Sequence, residues 1–379
     1  MKILFLVQGE GRGHLTQAIS LGQILRDAGH EIAGVMVGKA TDRTIPRFFS
    51  EQILCSVSDF DAPNIAYKSN GGGMSVTKTI TTLFSNLPKY FRGLRLIQQC
   101  VEKVKPDLII SFYETSTGIF NVLFRPAVPV ICIAHQYLLL HPKFIFPKNN
   151  RFNRFLINLN SRITSLMATK RLALSFREME SVSELNLIVI PPLLRKEVLT
   201  LEPSSGNFIL VYMTHHSLSK QIIDWHKDHP EIRLHCFWDN SDVAEEMVFD
   251  DTLTFHRINS DKYLQMLATC KALVTTAGFE SVCEAMYLGK PVMMVPVPNH
   301  FEQECNALDG VISGAGVTAK IFDLSVILDY LPTHQDQSEK FREWYRTGKK
   351  MFVDEIESLL PSVYKKNKPH LKDEQTISL

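Results

Sequence analysis

Residues 275–285, in the second half of the chain, combine a glycine, hydroxyl side chains and a glutamate between a predicted strand and a predicted helix. We expect Gly278 to let the backbone turn sharply, and Thr276 and Ser281 to place hydroxyls beside the unpaired amides of the helix start. A diphosphate fits such a place, because the N–H groups and the positive end of the helix dipole point at it. Glu284 lies one helical turn after Ser281, so its carboxylate can accept two hydrogen bonds from a ribose diol. The alternative, in which Ser281 only caps the helix and Glu284 is a surface glutamate, stays open.

A second segment, residues 289–307, follows this helix and completes an ordered pattern. The pattern is a glycine-containing phosphate turn, a serine, a glutamate three residues later, a Gly-x-Pro strand, and an acid-Gln pair before Asn-Ala. It resembles the donor-site signature of the glycosyltransferases of the GT-B fold, which include the plant and animal UDP-glycosyltransferases and the bacterial enzyme that adds N-acetylglucosamine to the peptidoglycan lipid precursor. Such an ordered set is far more specific than a lone glycine motif. The residues that carry the resemblance are Gly278, Ser281, Glu284, Gly289, Pro291, Glu302-Gln303 and Asn306-Ala307.

By this resemblance, the second half of the chain holds the nucleotide of a UDP-sugar. Thr276 and Ser281 would contact the diphosphate, and Glu284 would bind the ribose hydroxyls. The backbone around Arg257-Ile258, just after a predicted strand, would hold the edge of the base. The architecture implied is α/β, with two Rossmann-like domains that face a cleft, as in the GT-B fold.

The acid-Gln pair is implied to bind the sugar itself, through the side chains of Glu302 and Gln303. Glu280 receives no direct role, because its carboxylate would repel a neighbouring diphosphate. The resemblance further implies transfer with inversion, with the UDP-sugar as co-substrate and with no cofactor and no metal. The helix dipole and the amides near Ser281 would meet the charge that develops on the leaving group.

The turn at residues 8–14, between the first predicted strand and the first predicted helix, contains alternating glycines and ends in a histidine. It is not a true G-x-G-x-x-G, and Lys39 stands where a dinucleotide site needs an acid after the second strand. A dehydrogenase is therefore the least favoured function. Gly11 and Gly13, together with His215 after the first strand of the second half, are candidate phosphate-loop residues.

His14 is the candidate general base at the cleft. The Gly-x-Gly-His turn resembles the same turn of the GT-B families, and imidazole has a suitable pKa for taking the proton of an attacking hydroxyl. A carboxylate usually orients a histidine base, and Glu114, at the end of the predicted strand 107–111, is expected to do so. Two alternatives stay open: His14 bonds to its own backbone at the helix start, or His135 is the base.

Short apolar, β-branched runs alternate with helical segments along the chain, the pattern of parallel βαβ units. The double proline Pro191-Pro192 ends a first series of strands, and the polar stretch 201–206 precedes a second series. The predicted strands are 2–7, 31–37, 107–111, 128–133 and 187–190, then 207–213, 234–238, 253–255, 272–275 and 292–295. We predict an acceptor-binding Rossmann-like domain over 1–200, a nucleotide-sugar-binding Rossmann-like domain over 201–335, a helical segment near their junction over 336–364, and a disordered tail over 365–379.

The composition is that of a folded globular protein, with 45% apolar and 21% charged residues among 379. A net charge of +1 gives no general reason to expect nucleic acid. Seven scattered cysteines without a C-x-x-C pair predict buried thiols in a reducing compartment. We predict a cytoplasmic protein, because no stretch suits a signal peptide or a membrane span. We also expect no metal site, since Asp59-Phe60-Asp61 is predicted to be a loop and the histidines lack ligand partners at useful spacing.

A basic stretch over residues 143–171 lies in a region, 115–177, that contains no Asp or Glu. In one interpretation its aromatic side chains pack inward and its charges are solvated. In the other it docks peripherally on anionic lipid at the inner face of the membrane, each Lys or Arg contributing about 1 kcal/mol, with residues 77–99 extending the patch. The basic residues are Lys143, Lys148, Arg151, Arg154, Arg162, Lys170 and Arg171.

Taken together, these features predict a glycosyltransferase that moves a sugar from a UDP-sugar to an acceptor hydroxyl. A lipid-linked or cell-envelope glycan acceptor would suit membrane docking, as in the peptidoglycan relative, and no nucleic-acid partner is expected. Two alternatives stay open. A nucleotide-sugar epimerase would convert the donor without any acceptor, and a non-catalytic binding protein would hold UDP without turnover.

Overall fold

The computed structural model describes residues 1–41, 43–63, 76–148, 150–213, 216–240 and 244–359, apart from the side chains of residues 76–80. Its first half alternates strands with helices. The strands are β1 (Lys2–Gln8), β2 (Glu31–Lys39), β3 (Val57–Asp61), β4 (Leu108–Phe112), β5 (Val130–Ala134), β6 (Lys170–Leu174) and β7 (Leu187–Ile190). The helices are α1 (Gly13–Asp27), α2 (Arg47–Gln52), α3 (Val76–Ser85), α4 (Leu87–Val104), α5 (Thr115–Phe124), α6 (Arg151–Thr164) and α7 (Lys196–Leu199).

The second half repeats this alternation and ends in a long helix. The strands are β8 (Phe208–Met213), β9 (Arg233–Trp238), β10 (Glu246–Val248), β11 (Leu253–Arg257), β12 (Ala272–Thr275), β13 (Val292–Met294) and β14 (Gly316–Thr318). The helices are α8 (Ser219–Lys227), α9 (Ser260–Thr269), α10 (Phe279–Tyr287), α11 (Phe301–Ile312), α12 (Ser325–Tyr330) and α13 (Ser338–Glu357).

Each half builds its own seven-stranded sheet. The first has the order β3-β2-β1-β4-β5-β6-β7 and the second β10-β11-β9-β8-β12-β13-β14. All neighbouring strands are parallel except the pair β10–β11. Parallel sheets are covered by helices on both faces, so their strands must be apolar on both sides. Strand β1 meets this condition, because its five central residues, Ile3 to Val7, are fully buried. The predicted α/β class is confirmed.

One predicted loop is a strand. Asp59-Phe60-Asp61 belongs to β3, which pairs with β2 at the edge of the first sheet. Phe60 is buried in the core, while Asp59 is exposed. Asp59 forms a salt bridge of 2.9 Å with Lys39. The two acids therefore flank an inward-facing aromatic side chain, the alternation of an edge strand with one solvated side.

The long helix α13 packs against both halves of the chain. Its Trp344 donates Nε1–H to the carbonyl of Ser175 in the first half at 3.1 Å. Its Arg342 donates Nε–H to the carbonyl of Tyr287 in the second half at 2.8 Å. The helix therefore connects the two halves, and its Gly348 also packs against Pro191 at the start of the segment 191–207 that joins them. Among the described helices, none combines the length and the apolar character that crossing a bilayer requires.

Candidate functional site

The site lies where the strand order of each sheet reverses. In the first sheet β1 and β4 are neighbours, and in the second β8 and β12 are neighbours. Ligands of open α/β sheets bind outside the carboxyl ends of the strands at such a point. A cavity of about 1450 Å³ opens there. It is lined from the first half by the turn after β1 and from the second half by the start of α10.

The start of α10 faces this cavity, with a backbone that differs from the predicted turn. Gly278 has φ −68° and ψ 133°, values open to any residue, and a Cβ on it would meet open space. The left-handed residue is its neighbour Ala277, with φ 60°. The prediction that Gly278 makes the turn is therefore wrong, and its missing side chain instead leaves room beside the helix start. Ser281 lines the cavity in the first turn of α10, where unpaired amides and the helix dipole face outward.

Two of the predicted donor residues do not line the cavity. Thr276 is fully buried, and within the described part of the chain its Oγ1 has no hydrogen-bond partner. Arg257 is exposed, and its backbone N–H donates to the carbonyl of Glu245 at 2.9 Å, so this amide is not free to hold a base. Ile258, the next residue, does line the cavity.

Glu284 lines the cavity as a buried, paired carboxylate. Arg195, from the segment that joins the two halves, donates Nε–H to one carboxylate oxygen and Nη2–H to the other, both at 2.6 Å. The same guanidinium donates Nη1–H to Ser260 at 2.7 Å. A bidentate pair fixes the plane of the carboxylate, and each oxygen keeps capacity for one further hydrogen bond. Arg195 could not be predicted from the sequence, because no short-range spacing connects it to a partner 89 residues away.

Glu302 and Gln303 both line the cavity at the start of α11. Glu302 accepts a hydrogen bond of 2.9 Å from the side-chain amide of Gln136, which belongs to the first half. Burial raises the pKa of Glu302 to about 7. Gln303 accepts a hydrogen bond of 2.8 Å from the backbone N–H of Val297 and so closes the loop before the helix. The pair therefore sits where the two halves meet.

His14 stands in the first turn of α1 and lines the cavity from the first half. Its ring stacks on Tyr113, with the centroids 5.7 Å apart. Its Nδ1 lies 3.3 Å from the side-chain oxygen of Gln17. Burial lowers the pKa of His14 to about 4. The imidazole is therefore neutral at pH 7, the state that can accept a proton.

Glu114 is not brought together with His14. Its carboxylate accepts a hydrogen bond of 2.9 Å from the backbone N–H of Ser116 and so caps α5. The same carboxylate fills the space over Gly38 in β2, where any Cβ would overlap with it. Burial raises the pKa of Glu114 to about 7. Glu114 therefore does not orient His14 as expected, because the Glu114 side chain points toward the start of α5 and toward β2.

A carboxylate with no expected role, Glu280, reaches across the cleft instead. It accepts a hydrogen bond of 2.5 Å from the side-chain amide of Gln17 in α1. Its carboxylate also lies against the backbone of Gly13, where a Cβ would come within 2.7 Å of it. Nothing in the spacing of the sequence indicates this contact, since Gln17 and Glu280 are 263 residues apart.

The candidate phosphate-loop residues divide into those inside and outside the described chain. Gly11 lines the cavity and has φ 84°, a left-handed conformation that favours glycine. Gly13 also lines the cavity, and its lack of a side chain permits the close approach of Glu280. His215 lies outside the described residues.

His135, the alternative base, is buried and lines the same cavity as His14. Its Nδ1 lies 2.8 Å from the carbonyl of Leu174, and its ring stacks on Phe279 at a centroid distance of 3.9 Å. Within the described structure its Nε2 is buried without a hydrogen-bond partner. Burial lowers the pKa of His135 to about 4. His135 shares its cavity position and its lowered pKa with His14, so it stays an alternative to His14 as the base.

The basic stretch is divided among different elements. Lys170 and Arg171 begin strand β6, which is not among the predicted strands. Lys170 donates to the carboxylate of Glu355 in α13 at 2.5 Å, and Arg171 donates to Ser165 at 2.7 Å. These two cations therefore support the fold and do not contribute to an open basic surface.

Most of the chain resembles known glycosyltransferases. Residues 1–333 match glycosyl transferase family 1. An uncharacterised glycosyltransferase of Methanosarcina acetivorans is 23% identical over 338 residues, which are 83% of this chain and 82% of that protein. An uncharacterised glycosyltransferase of Methanosarcina mazei is 31% identical over 142 residues, which are only 36% of this chain and 34% of that protein.

Two solved structures share the architecture over nearly the full length. The glycotransferase of kitacinnamycin superposes with a TM-score of 0.64 at 15% identity, covering 95% of this chain and 99% of its own. UGT2 of Phytolacca americana superposes with a TM-score of 0.60 at 13% identity, covering 97% of this chain and 99% of its own. This likeness shows the fold, and the family match covers well over half of the sequence. The chain belongs to glycosyl transferase family 1 and is a glycosyltransferase of the GT-B fold.

Proposed function

We propose that this glycosyltransferase moves a sugar from a UDP-sugar to an acceptor hydroxyl, with inversion at the anomeric carbon. One observation carries the proposal: the start of α10, in the second half, faces His14, in the first half, across a single cavity. An anion site and a neutral imidazole thus border the same space. Direct displacement needs both, one to hold the leaving diphosphate and one to take the proton of the attacking hydroxyl.

The donor side of the proposal rests on α10. The unpaired amides of its first turn and its dipole attract the diphosphate, and Ser281 adds a hydroxyl. The ribose diol donates to the acceptor capacity that Glu284 retains beside Arg195. Helix start and dipole supply the positive potential for the leaving group, so we propose transfer without a metal. UGT2 of Phytolacca americana is complexed with UDP-2-fluoro-glucose, which supports a UDP-sugar for this chain.

The acceptor side rests on His14. The neutral ring takes the hydroxyl proton while the acceptor oxygen bonds to the anomeric carbon. The electron pair of the bond that breaks leaves with UDP. Replacing His14 by Ala is expected to abolish transfer and leave UDP affinity nearly intact. Unchanged turnover would remove His14 from the mechanism.

We further propose that a surface of the first half docks on anionic lipid and brings a lipid-linked acceptor to the cavity. On α6, three arginines line a groove of about 570 Å³. Phe152 and Phe155 on the same helix are 64% and 60% exposed, although such aromatics usually pack inward. On α3 and α4, which are separated from α6 by α5, Phe84 and Phe91 are 67% and 53% exposed. The arginines are Arg151, Arg154 and Arg162.

Flotation with liposomes tests this surface. We expect the protein to float with vesicles that contain anionic lipid at low salt and to stay at the bottom with neutral vesicles. The variant Phe152→Ser/Phe155→Ser should lose flotation. An equivalent loss in a variant of exposed residues far from the patch, Val248→Ser/Phe249→Ser, would contradict the assignment, and so would an absence of salt-sensitive binding.

An assay of products tests the reaction class. Each UDP-sugar is incubated with the enzyme and candidate acceptors, and the nucleotides and sugars are separated by mass and chromatography. Transfer releases UDP and adds the mass of one sugar to the acceptor. A changed sugar still attached to UDP, with no acceptor consumed, would instead indicate an epimerase, and UDP binding without any product would indicate a binding protein.

A further inference from the structure

Gln17 lies between His14 and Glu280 and contacts both. Its side-chain oxygen is 3.3 Å from Nδ1 of His14, and its side-chain amide donates to Glu280 at 2.5 Å. Gln17 is 99% buried, with 1% of its surface exposed, so water does not compete for these contacts. An unbroken line of polar contacts therefore runs from a carboxylate of the second half to a ring nitrogen of the first.

The chemistry of these three groups determines the position of one proton. An ionised carboxylate only accepts hydrogen bonds, so Glu280 requires the NH₂ group of the Gln17 amide. The amide oxygen must then face His14, and this oxygen also only accepts. Nδ1 of His14 therefore carries the proton. In the described chain, Nε2 of His14 has no protein partner, and the residue lines the cavity.

We propose that Gln17 and Glu280 are positioning residues that hold His14 in the tautomer with a free Nε2 lone pair directed at the acceptor. This inference rests on the proposed function, in which His14 is the base. In the transfer step, the acceptor proton passes to Nε2, the acceptor oxygen bonds to the anomeric carbon, and the bond to the diphosphate breaks toward UDP. The Gln17 carbonyl dipole, with the Glu280 carboxylate behind it, stabilises the imidazolium that forms.

Other charged groups around Glu280 make this line of contacts sensitive to pH. Glu302 and Glu284 are its carboxylate neighbours, and Glu284 is itself paired with Arg195. Burial, followed by repulsion from Glu302 and Glu284, raises the pKa of Glu280 to about 7. A protonated Glu280 can donate, so the Gln17 amide is free to turn over and present NH₂ to His14. The tautomer is therefore held above about pH 7 and released below it.

Nuclear magnetic resonance on the full chain with ¹⁵N-labelled histidine tests the tautomer without relying on catalysis. The variant His14→Gln identifies the resonances of His14 among those of the 13 histidines. At pH 8, we expect protonated Nδ1 and unprotonated Nε2 in the wild type, and a mixture of both tautomers in Gln17→Leu and in Glu280→Ala. The matched control is Gln98→Leu, which removes a glutamine bonded to Glu102 on the exposed face of α4. Retention of the wild-type tautomer in both test variants would overturn the proposal.

Kinetics separate this proposal from the proposed function. We expect Gln17→Leu and Glu280→Ala to lower kcat about 10- to 100-fold, as does loss of the partners that orient metal-ligating histidines, with the KM for donor within about twofold. Glu280→Gln can donate as well as accept, as a protonated Glu280 can, so at pH 8 its kcat should fall toward the value of the wild type below pH 7, and the pH dependence near 7 should disappear. In a His14→Gln background, which keeps a measurable residual turnover, Gln17→Leu should cause no further loss. Mixed tautomers with an unchanged kcat would support the role of Gln17 and remove His14 as the base, whereas equal losses in both backgrounds would overturn the positioning role.

Discussion

Arg195 donates a hydrogen bond of 2.6 Å to each carboxylate oxygen of Glu284. This pair connects α10 to the segment between the two halves of the chain. The carboxylate is buried, and the guanidinium is about one-fifth exposed. The pair therefore holds the proposed ribose contact in place before any nucleotide arrives. It also makes the orientation of the helix that carries the proposed phosphate site depend on the segment that connects the two halves.

The first prediction concerns the stability that this pair provides. Arg195→Met removes one partner and leaves the other charge buried, so the free energy of unfolding should fall by about 3–5 kcal/mol. Urea denaturation measures this change. The control is Arg47→Met in the exposed pair Arg47–Glu51, which should change the free energy of unfolding by less than about 1 kcal/mol. Equal effects of the two substitutions would show that Glu284 does not depend on Arg195.

The second prediction concerns the base. Substitution His14→Gln keeps a polar side chain of similar size but cannot take the acceptor proton, so kcat should fall by about 10²–10⁴-fold. Isothermal titration should give a UDP affinity within about twofold of the wild type. The control His229→Gln replaces a histidine stacked on Trp225, away from the cavity, and should leave both quantities unchanged. A loss of UDP affinity parallel to that of kcat would assign His14 to the donor site instead.

The third prediction uses Glu114, whose pKa is raised from 4.5 to about 7 by burial. A carboxyl group with a raised pKa in the folded state stabilises the fold below its unfolded pKa, and this contribution disappears as pH rises through about 7. Glu114→Gln can still cap α5 but does not titrate. Its free energy of unfolding should therefore rise relative to the wild type between pH 5 and pH 8, by up to about 3 kcal/mol. Urea denaturation of both proteins at pH 5 and pH 8 measures this change. If the difference in free energy of unfolding between Glu114→Gln and the wild type is the same at both pH values, the raised pKa of Glu114 is contradicted.

The fourth prediction compares two glycines. Gly278→Val adds a side chain in open space at an ordinary φ, so the melting temperature should change little while UDP affinity falls at least tenfold. Gly38→Ala adds a Cβ that overlaps with Glu114, so it should cost about 1–3 kcal/mol of stability. Thermal unfolding measures the stability of both variants, and titration with UDP measures their UDP affinity. If Gly278→Val unfolds the protein and leaves UDP binding intact, Gly278 serves the fold alone.

The arrangement of strands could be predicted from local pattern, because buried parallel strands are short apolar runs. Leu187–Ile190 and Ala272–Thr275 have the predicted bounds. Four of the described strands were missed, β3, β6, β10 and β14, and two of them show how the pattern breaks. Lys170–Leu174 begins with two cations whose partners lie on other elements, and Gly316–Thr318 has only three residues, the first a glycine.

The candidate site could be predicted only where its residues share one element. Ser281 and Glu284 follow from helix spacing, and both line the cavity. The partners that determine their chemistry come from distant parts of the chain: Arg195 for Glu284, and Gln17 for Glu280. No local period connects such residues. Glu114 was therefore predicted as the orienting carboxylate, but its side chain caps α5 and lies over Gly38.

A crystal structure with bound UDP tests the central claim most directly, because the claim concerns one place, the start of α10. We expect the diphosphate oxygens about 3 Å from the first amides of the helix and from Ser281, and the ribose hydroxyls hydrogen-bonded to Glu284. An empty helix start, or UDP bound only at the turn of residues 8–14, would contradict the assignment of the donor to the second half of the chain.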